Sequence, residues 1–96
     1  MRATEFQLEV LGRVADDYEA VSTIRGDIER DLGRTVSEEE VASALLALAG
    51  LGLVDAFVYD GGHSKYQRVA VDTHAASELW FFISQVGRLK YDSSEV

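Results

Sequence analysis

A chain of 96 residues, 47% apolar and 27% charged, has the material for one hydrophobic core and is too apolar to stay unfolded. Nine Lys and Arg face 17 Asp and Glu, a net charge of -8, which repels phosphate at long range and argues against strong non-specific nucleic-acid binding. The absence of cysteine excludes disulfides and thiolate metal sites, and no stretch nears the roughly 20 apolar residues of a membrane span or reads as an export signal, so the expectation is a cytoplasmic protein with no membrane partner.

One continuous domain, 1–96, is expected, because no repeat or linker interrupts the chain and proline and asparagine are both absent. The segment TEFQLEVLGRVADDY places Leu8, Leu11, Ala15 and Tyr18 on one helical face, widened by Phe6, Val10 and Val14, and predicts a first helix. After an acidic turn, VSTIRGDIERDLG sets Val21, Ile24, Ile28 and Leu32 on one side. Ser22 or Thr23 is the expected N-cap of this second helix, and Gly33 its left-handed C-terminal residue. A third helix then starts at Ser37, with Glu40 completing a capping box and Val36 and Val41 at the spacing of a hydrophobic staple. Glu38, Glu39 and Glu40 occupy its first turn, where the helix dipole favours acids by up to about 1 kcal/mol each.

Beyond Gly52 the period changes. LVDAFVYDGG alternates and is rich in aromatic and β-branched residues, a strand running into a turn at Gly61 and Gly62. ELWFFIS is read as its return strand, with YQRVAV a short strand inside the long intervening segment from His63 to Ala76. Ser84 caps a short last helix, QVGRLKYD, and a polar tail follows.

The stretch VASALLALAGLGLV resembles the winged helix-turn-helix pattern V-s-r-a-L-r-r-L-e-e-k-G-L-v, with Val41, Leu45, Leu48, Gly52, Leu53 and Val54 on its fixed positions. LWFFISQVGRLK resembles the second wing strand and helix start of bacterial regulators of the MarR and PadR-like type, often Y-x-L-T-x-x-G-R, with Phe82, Ile83, Ser84, Gly87 and Arg88 in register. The resemblance implies an α+β winged helix-turn-helix: a three-helix bundle with a helix-turn-helix over 21–50, a wing over 53–84 and a short C-terminal helix. It also implies transcription regulation as a homodimer. Independently of it, Val41, Leu45 and Leu48 can share a core with Ile24 and Ile28.

In that family the third helix reads the major groove with polar side chains between its core positions. Here those places hold Ala42, Ser43, Leu46 and Ala47, then Ala49 and Gly50, and no positive charge lies between Thr35 and Val54. The candidate DNA contacts are therefore Arg34, Ser43 and, in the wing, His63, Lys65 and Arg68. Leu46, Ala47 and Gly50, small residues flanking a leucine, form the candidate partner surface together with Trp80. The run Leu79 to Ile83 is apolar throughout, which predicts that both strand faces are covered, the outer one by the first helix or a second subunit. Two functions follow: a regulator with weak DNA contact, or an interaction or dimerisation winged helix that no longer reads DNA, with a homodimer built on the first helix and the strand edge.

No catalytic set is found. His63 adjoins Ser64 without a third group to activate the pair. His63, His74, Asp60 and Asp72 are more readily surface groups than a metal site. Gly61-Gly62 lacks the lysine and strand-to-helix context of a phosphate loop. No enzyme, cofactor or metal is expected.

Overall fold

The computed structural model describes residues 4–72 and 74–93. It is an α+β chain whose elements run α1 (Glu5–Arg13), β1 (Glu19–Ala20), α2 (Val21–Leu32), α3 (Glu38–Gly50), β2 (Val54–Asp60), β3 (Lys65–Val69), a 3-10 turn (Ala76–Glu78), β4 (Trp80–Ile83) and α4 (Gln85–Asp92).

Helix α1 opens on a capping box: the Thr4 hydroxyl accepts from Gln7 N, and the Gln7 side chain accepts from Thr4 N. It buries Val10 and Leu11, but it stops at Arg13 and does not carry Tyr18. The cause is local. Asp17 Oδ1 accepts from Tyr18 N at 2.7 Å, a side-chain bond that competes with the helical ladder, and Tyr18 instead leads into β1. Because β1 holds Glu19 and Ala20 extended, α2 begins at once from Ala20 without a side-chain cap, so neither Ser22 nor Thr23 takes that role. Gly33 ends α2 as expected, at φ 66° with its N–H on Glu29 O; a residue with a Cβ is disfavoured there. Ile24 and Ile28 are buried, whereas Leu32, one turn further on, overshoots the core and is 43% exposed.

The turn from α2 to α3 is held by one carboxylate. Glu29 Oε2 accepts from Val36 N at 2.9 Å while Oε1 accepts from Arg25 at 2.6 Å. Glu29→Ala leaves the Val36 N–H without its acceptor, and is expected to lower stability by about 1–2 kcal/mol in a urea titration, with Glu29→Gln recovering part of it.

Helix α3 starts as its sequence predicts. Ser37 Oγ accepts from Glu40 N at 3.0 Å, Glu40 Oε1 accepts from Ser37 N at 3.3 Å, and Val36 and Val41 on either side are buried. Val41, Leu45 and Leu48 share one core with Ile24, Ile28, Val10, Leu11 and Phe81.

The strands form one antiparallel sheet in the order β1-β4-β2-β3. Here the sequence expectation needs correcting. β4 does pair with β2, from Val54↔Ile83 to Phe57↔Trp80, but the hairpin partner of β2 is β3, across five pairs from Ala56↔Val69 to Asp60↔Lys65. Asp60 explains the early reversal: its Oδ1 accepts from Gly62 N and His63 N, closing the turn directly after β2. The chain then recrosses, and β4 inserts between β1 and β2.

The short helix α4 is tied to distant segments by its first turn. Ser84 Oγ accepts from Gly87 N and donates to Gly52 O at 2.6 Å, Ser84 N donates to Leu53 O, and the Arg88 guanidinium donates to Ala15 O. These bonds give the S-x-x-G-R spacing a structural reason. The polar tail expected after α4 falls partly on Ser94–Val96, outside the described residues. No helix among the described residues is long and apolar enough to cross a membrane.

Candidate interaction surfaces

The candidate residues fall on three surfaces. The first lies where α1 and α3 begin. Arg34 and Ser43 line one open cleft of about 580 Å³ with Phe6, Ser37, Glu39 and Glu40. Arg34 is not presented to solvent as a lone cation: its guanidinium lies 5.5 Å from the centre of the Phe6 ring and 3.7 Å from Glu40, and it donates to Thr35 O. Ser43 is exposed, and so are Leu46, at 44%, and Gly50; Ala47 is half-buried. The exposed residues of α3 are therefore Glu38, Glu39, Glu40, Ser43, Leu46 and Gly50, with carboxylates in the first turn and one hydroxyl beyond it as their polar groups.

The second surface is the β2–β3 hairpin, which carries His63, Lys65 and Arg68. His63 Nδ1 is 2.7 Å from Asp60, Arg68 is 3.1 Å from Asp55, and Lys65 stands opposite Asp60 in register. His63 and Arg68 are thus already held by carboxylates of β2. The pairing extends through the chain. Arg13 meets Glu9 and Asp31, Arg25 meets Glu29, and Arg30 meets Asp27. Every arginine among the described residues engages the chain's own oxygens. Individually such exposed pairs add little stability, but phosphate would have to displace a carboxylate at nearly every one. Among the described residues no three His, Cys, Asp or Glu side chains gather as a metal site.

No family model, curated protein or solved structure matches this chain.

The third surface is the sheet face turned away from the core. Alternation along β4 sends Phe81 and Ile83 inward and Trp80 and Phe82 outward. The register adds Phe57 and Tyr59 from β2 and Tyr66 from β3 to the outer side. Tyr18, just before β1, lies over them: its ring stacks on Tyr66 at 3.9 Å and 5°, and meets Phe57 and Phe82 edge-on at 4.9 and 4.8 Å. Tyr66 also touches Tyr59 and Trp80, at 5.1 and 5.5 Å. The expectation that both faces of Leu79 to Ile83 are covered holds within the chain itself, but α1 is not the cover. Tyrosine rings of the same chain provide it, and Trp80, placed on the partner surface by sequence, is half-buried among them.

The Asp55–Arg68 pair lies on this same face, in register with Phe82 and Phe57, and acids around Tyr18 act on the layer from the other end. Burial, then the negative charge of Asp17, pushes the Tyr66 phenol above its ordinary value. Burial likewise raises the Glu19 carboxyl, helped by Asp17 and Asp27. The aromatic layer escaped the sequence because its members are scattered over strands whose pairing was unknown. The spacing of Phe57 with Tyr59 and of Trp80 with Phe82 is the signal that would have found it.

The last exposed apolar group lies on α4, where Leu89 is 66% exposed and Val86 points outward with it three residues earlier.

Proposed function

We propose that the chain is a winged helix-turn-helix domain that works by associating with protein, and that its third helix offers a contact surface in place of base-reading side chains. The succession of three helices and an antiparallel β arrangement supports the winged-helix reading. β4 then takes the place of the second wing strand, beside β2, and β3 is an additional strand at the sheet edge. The observation that carries the functional half is the internal pairing of the arginines. A protein binding duplex DNA owes most of its affinity to cations meeting phosphates. In this chain Arg34, Arg68 and the α2 arginines are each held by a carboxylate, and α3 opens with Glu38, Glu39 and Glu40. Leu46 on α3 and Val86 and Leu89 on α4 are the kind of exposed apolar positions that a protein interface buries. Association with a second copy, cytoplasmic location and independence from any cofactor complete this reading.

A second reading, a small transcription regulator with weak DNA contact, is favoured by one feature: Arg34 and Ser43 line the same cleft at the start of α3, with Lys65 and Arg68 on the hairpin as wing contacts. Fluorescence anisotropy with random duplex DNA separates the two. The association reading expects no saturable binding up to about 100 µM at low salt, the weak end of ordinary non-specific affinity. Salt-sensitive binding lost on Arg34→Ala and Arg68→Ala would replace it with the regulator. Sedimentation of the concentrated chain tests the association itself. Leu46→Glu is expected to reduce self-association while changing stability by no more than about 0.5 kcal/mol, and a strictly monomeric wild type would count against the homodimer.

A further inference from the structure

The acidic turn beside the outer aromatic layer has no cation of its own among the described residues. Carboxylates along α2 and the hairpin are matched: Asp27, Glu29, Asp31 and Asp55 each have an arginine within 4.0 Å, and Asp60 has the His63 ring. Beside Tyr18, Asp16, Asp17 and Glu19 have none among the described residues. Asp16 and Asp17 therefore stand unmatched beside Tyr18, the ring that lies over the outer face, whereas Glu19, paired with Phe81, lies on the inner one. Within it, Tyr59 is 49% exposed and Trp80 and Tyr66 are half-buried.

From this juxtaposition of aromatic rings and unmatched carboxylates, we propose that the outer sheet face docks an arginine-bearing basic segment of a partner protein. A guanidinium is planar, weakly hydrated and always charged, so it stacks on exposed aromatic faces and pairs with carboxylates at the same time. The layer supplies the first contact at Tyr59 and Trp80, and Asp16 and Asp17 supply the second. Two other occupants fit less well. A second copy on this face would bring the same acidic rim against this one, an arrangement that like charges oppose. A single-stranded nucleic acid would find rings to stack on, but such platforms sit in cationic grooves, and here Arg68 is already held by Asp55. The proposal concerns a surface distinct from α3, so its failure leaves the reading above standing.

Trp80 is the chain's one tryptophan and reports directly on the layer. Its emission would be followed during titration of the full chain with an arginine-glycine heptapeptide, with the same peptide carrying citrulline for arginine, and with oligo-dT. The expected result is a saturable, salt-weakened change with the arginine peptide, about tenfold weaker binding of the citrulline peptide, and a loss of several-fold in Asp16→Asn/Asp17→Asn and in Tyr59→Ala. Circular dichroism should show both variants folded. Equal binding of the two peptides, tighter binding of oligo-dT, indifference to the Asp16 and Asp17 replacements, or no response to the arginine peptide at about 1 mM, near the limit of measurable affinity, would each overturn the proposal. So would a Trp80 emission that changes on dilution of the protein alone, which assigns the face to a second copy.

Discussion

Gly87→Ala is expected to destabilise the chain by about 3 kcal/mol, the upper range for forcing extra atoms into a packed site. Gly87 is buried in the first turn of α4. A Cβ built there would run into the Leu53 carbonyl oxygen and stand 2.9 Å from Leu53 C and Ile83 Cγ1. Two of these three atoms are backbone at the junction of α3 and β2, so no side-chain rotation relieves the clash. α4 must withdraw, and with it go the bonds from Ser84 to Gly52 and from Arg88 to Ala15. At roughly 4–8 °C per kcal/mol for a domain of this size, the melting temperature should fall by about 12–24 °C. Gly26→Ala is the matched control. Nothing lies within 4 Å of a Cβ at that position in α2, and the change should stabilise by about 0.5–1 kcal/mol. Equal melting of Gly87→Ala and wild type would mean that α4 does not pack at this distance.

A loss of about 3–5 kcal/mol is expected for Phe81→Ala, the ordinary cost of removing a fully buried phenylalanine. Phe81 is the largest of the side chains with no exposure, and it faces Ala56 and Glu19 across two strand pairings in the middle of the sheet. Its neighbour Phe82 points the other way, half-buried beneath the edge of Tyr18. Phe82→Ala should cost less, about 1–2 kcal/mol, because the lost contacts are partly replaced by water. The comparison is more informative than either value. A strand displaced by one residue exchanges its two faces completely, so a larger loss at Phe82 than at Phe81 in denaturant titrations would show the register of β4 to be wrong.

The helical half of this fold is written locally. Ser37 with Glu40, Gly33 at a left-handed φ, and the spacing of Ile24, Ile28, Val41, Leu45 and Leu48 are signals contained within a few residues, and each appears in the structure in its expected role. The β half is not local. Whether ELWFFIS or YQRVAV turns back against β2 depends on pairing energies between distant strands, and the Asp60 turn that decides it is a side-chain bond invisible to periodicity. The start of α2 was missed for a related reason. Ala20 is a poor cap, but β1 pairs with β4, 60 residues later, and fixes the chain direction there. At the candidate surfaces, the scarcity of cations on α3 was legible from composition alone. That the remaining arginines are held by carboxylates, and that Tyr18 roofs the outer sheet face, required the three-dimensional arrangement.

The bonds that close the domain join residues far apart in the chain: Arg88 reaches Ala15, Ile83 N donates to Val14 O at 2.9 Å, and β1 is flanked by β4. During synthesis α1, α2 and α3 can form and meet as they emerge, since their contacts lie close in sequence. The end of α1 gains these bonds from β4 and α4, up to 73 residues further along the chain. The three helices can thus meet before β4 and α4 are made, and the segment from 80 to 92 is the one that closes the domain over Val14 and Ala15.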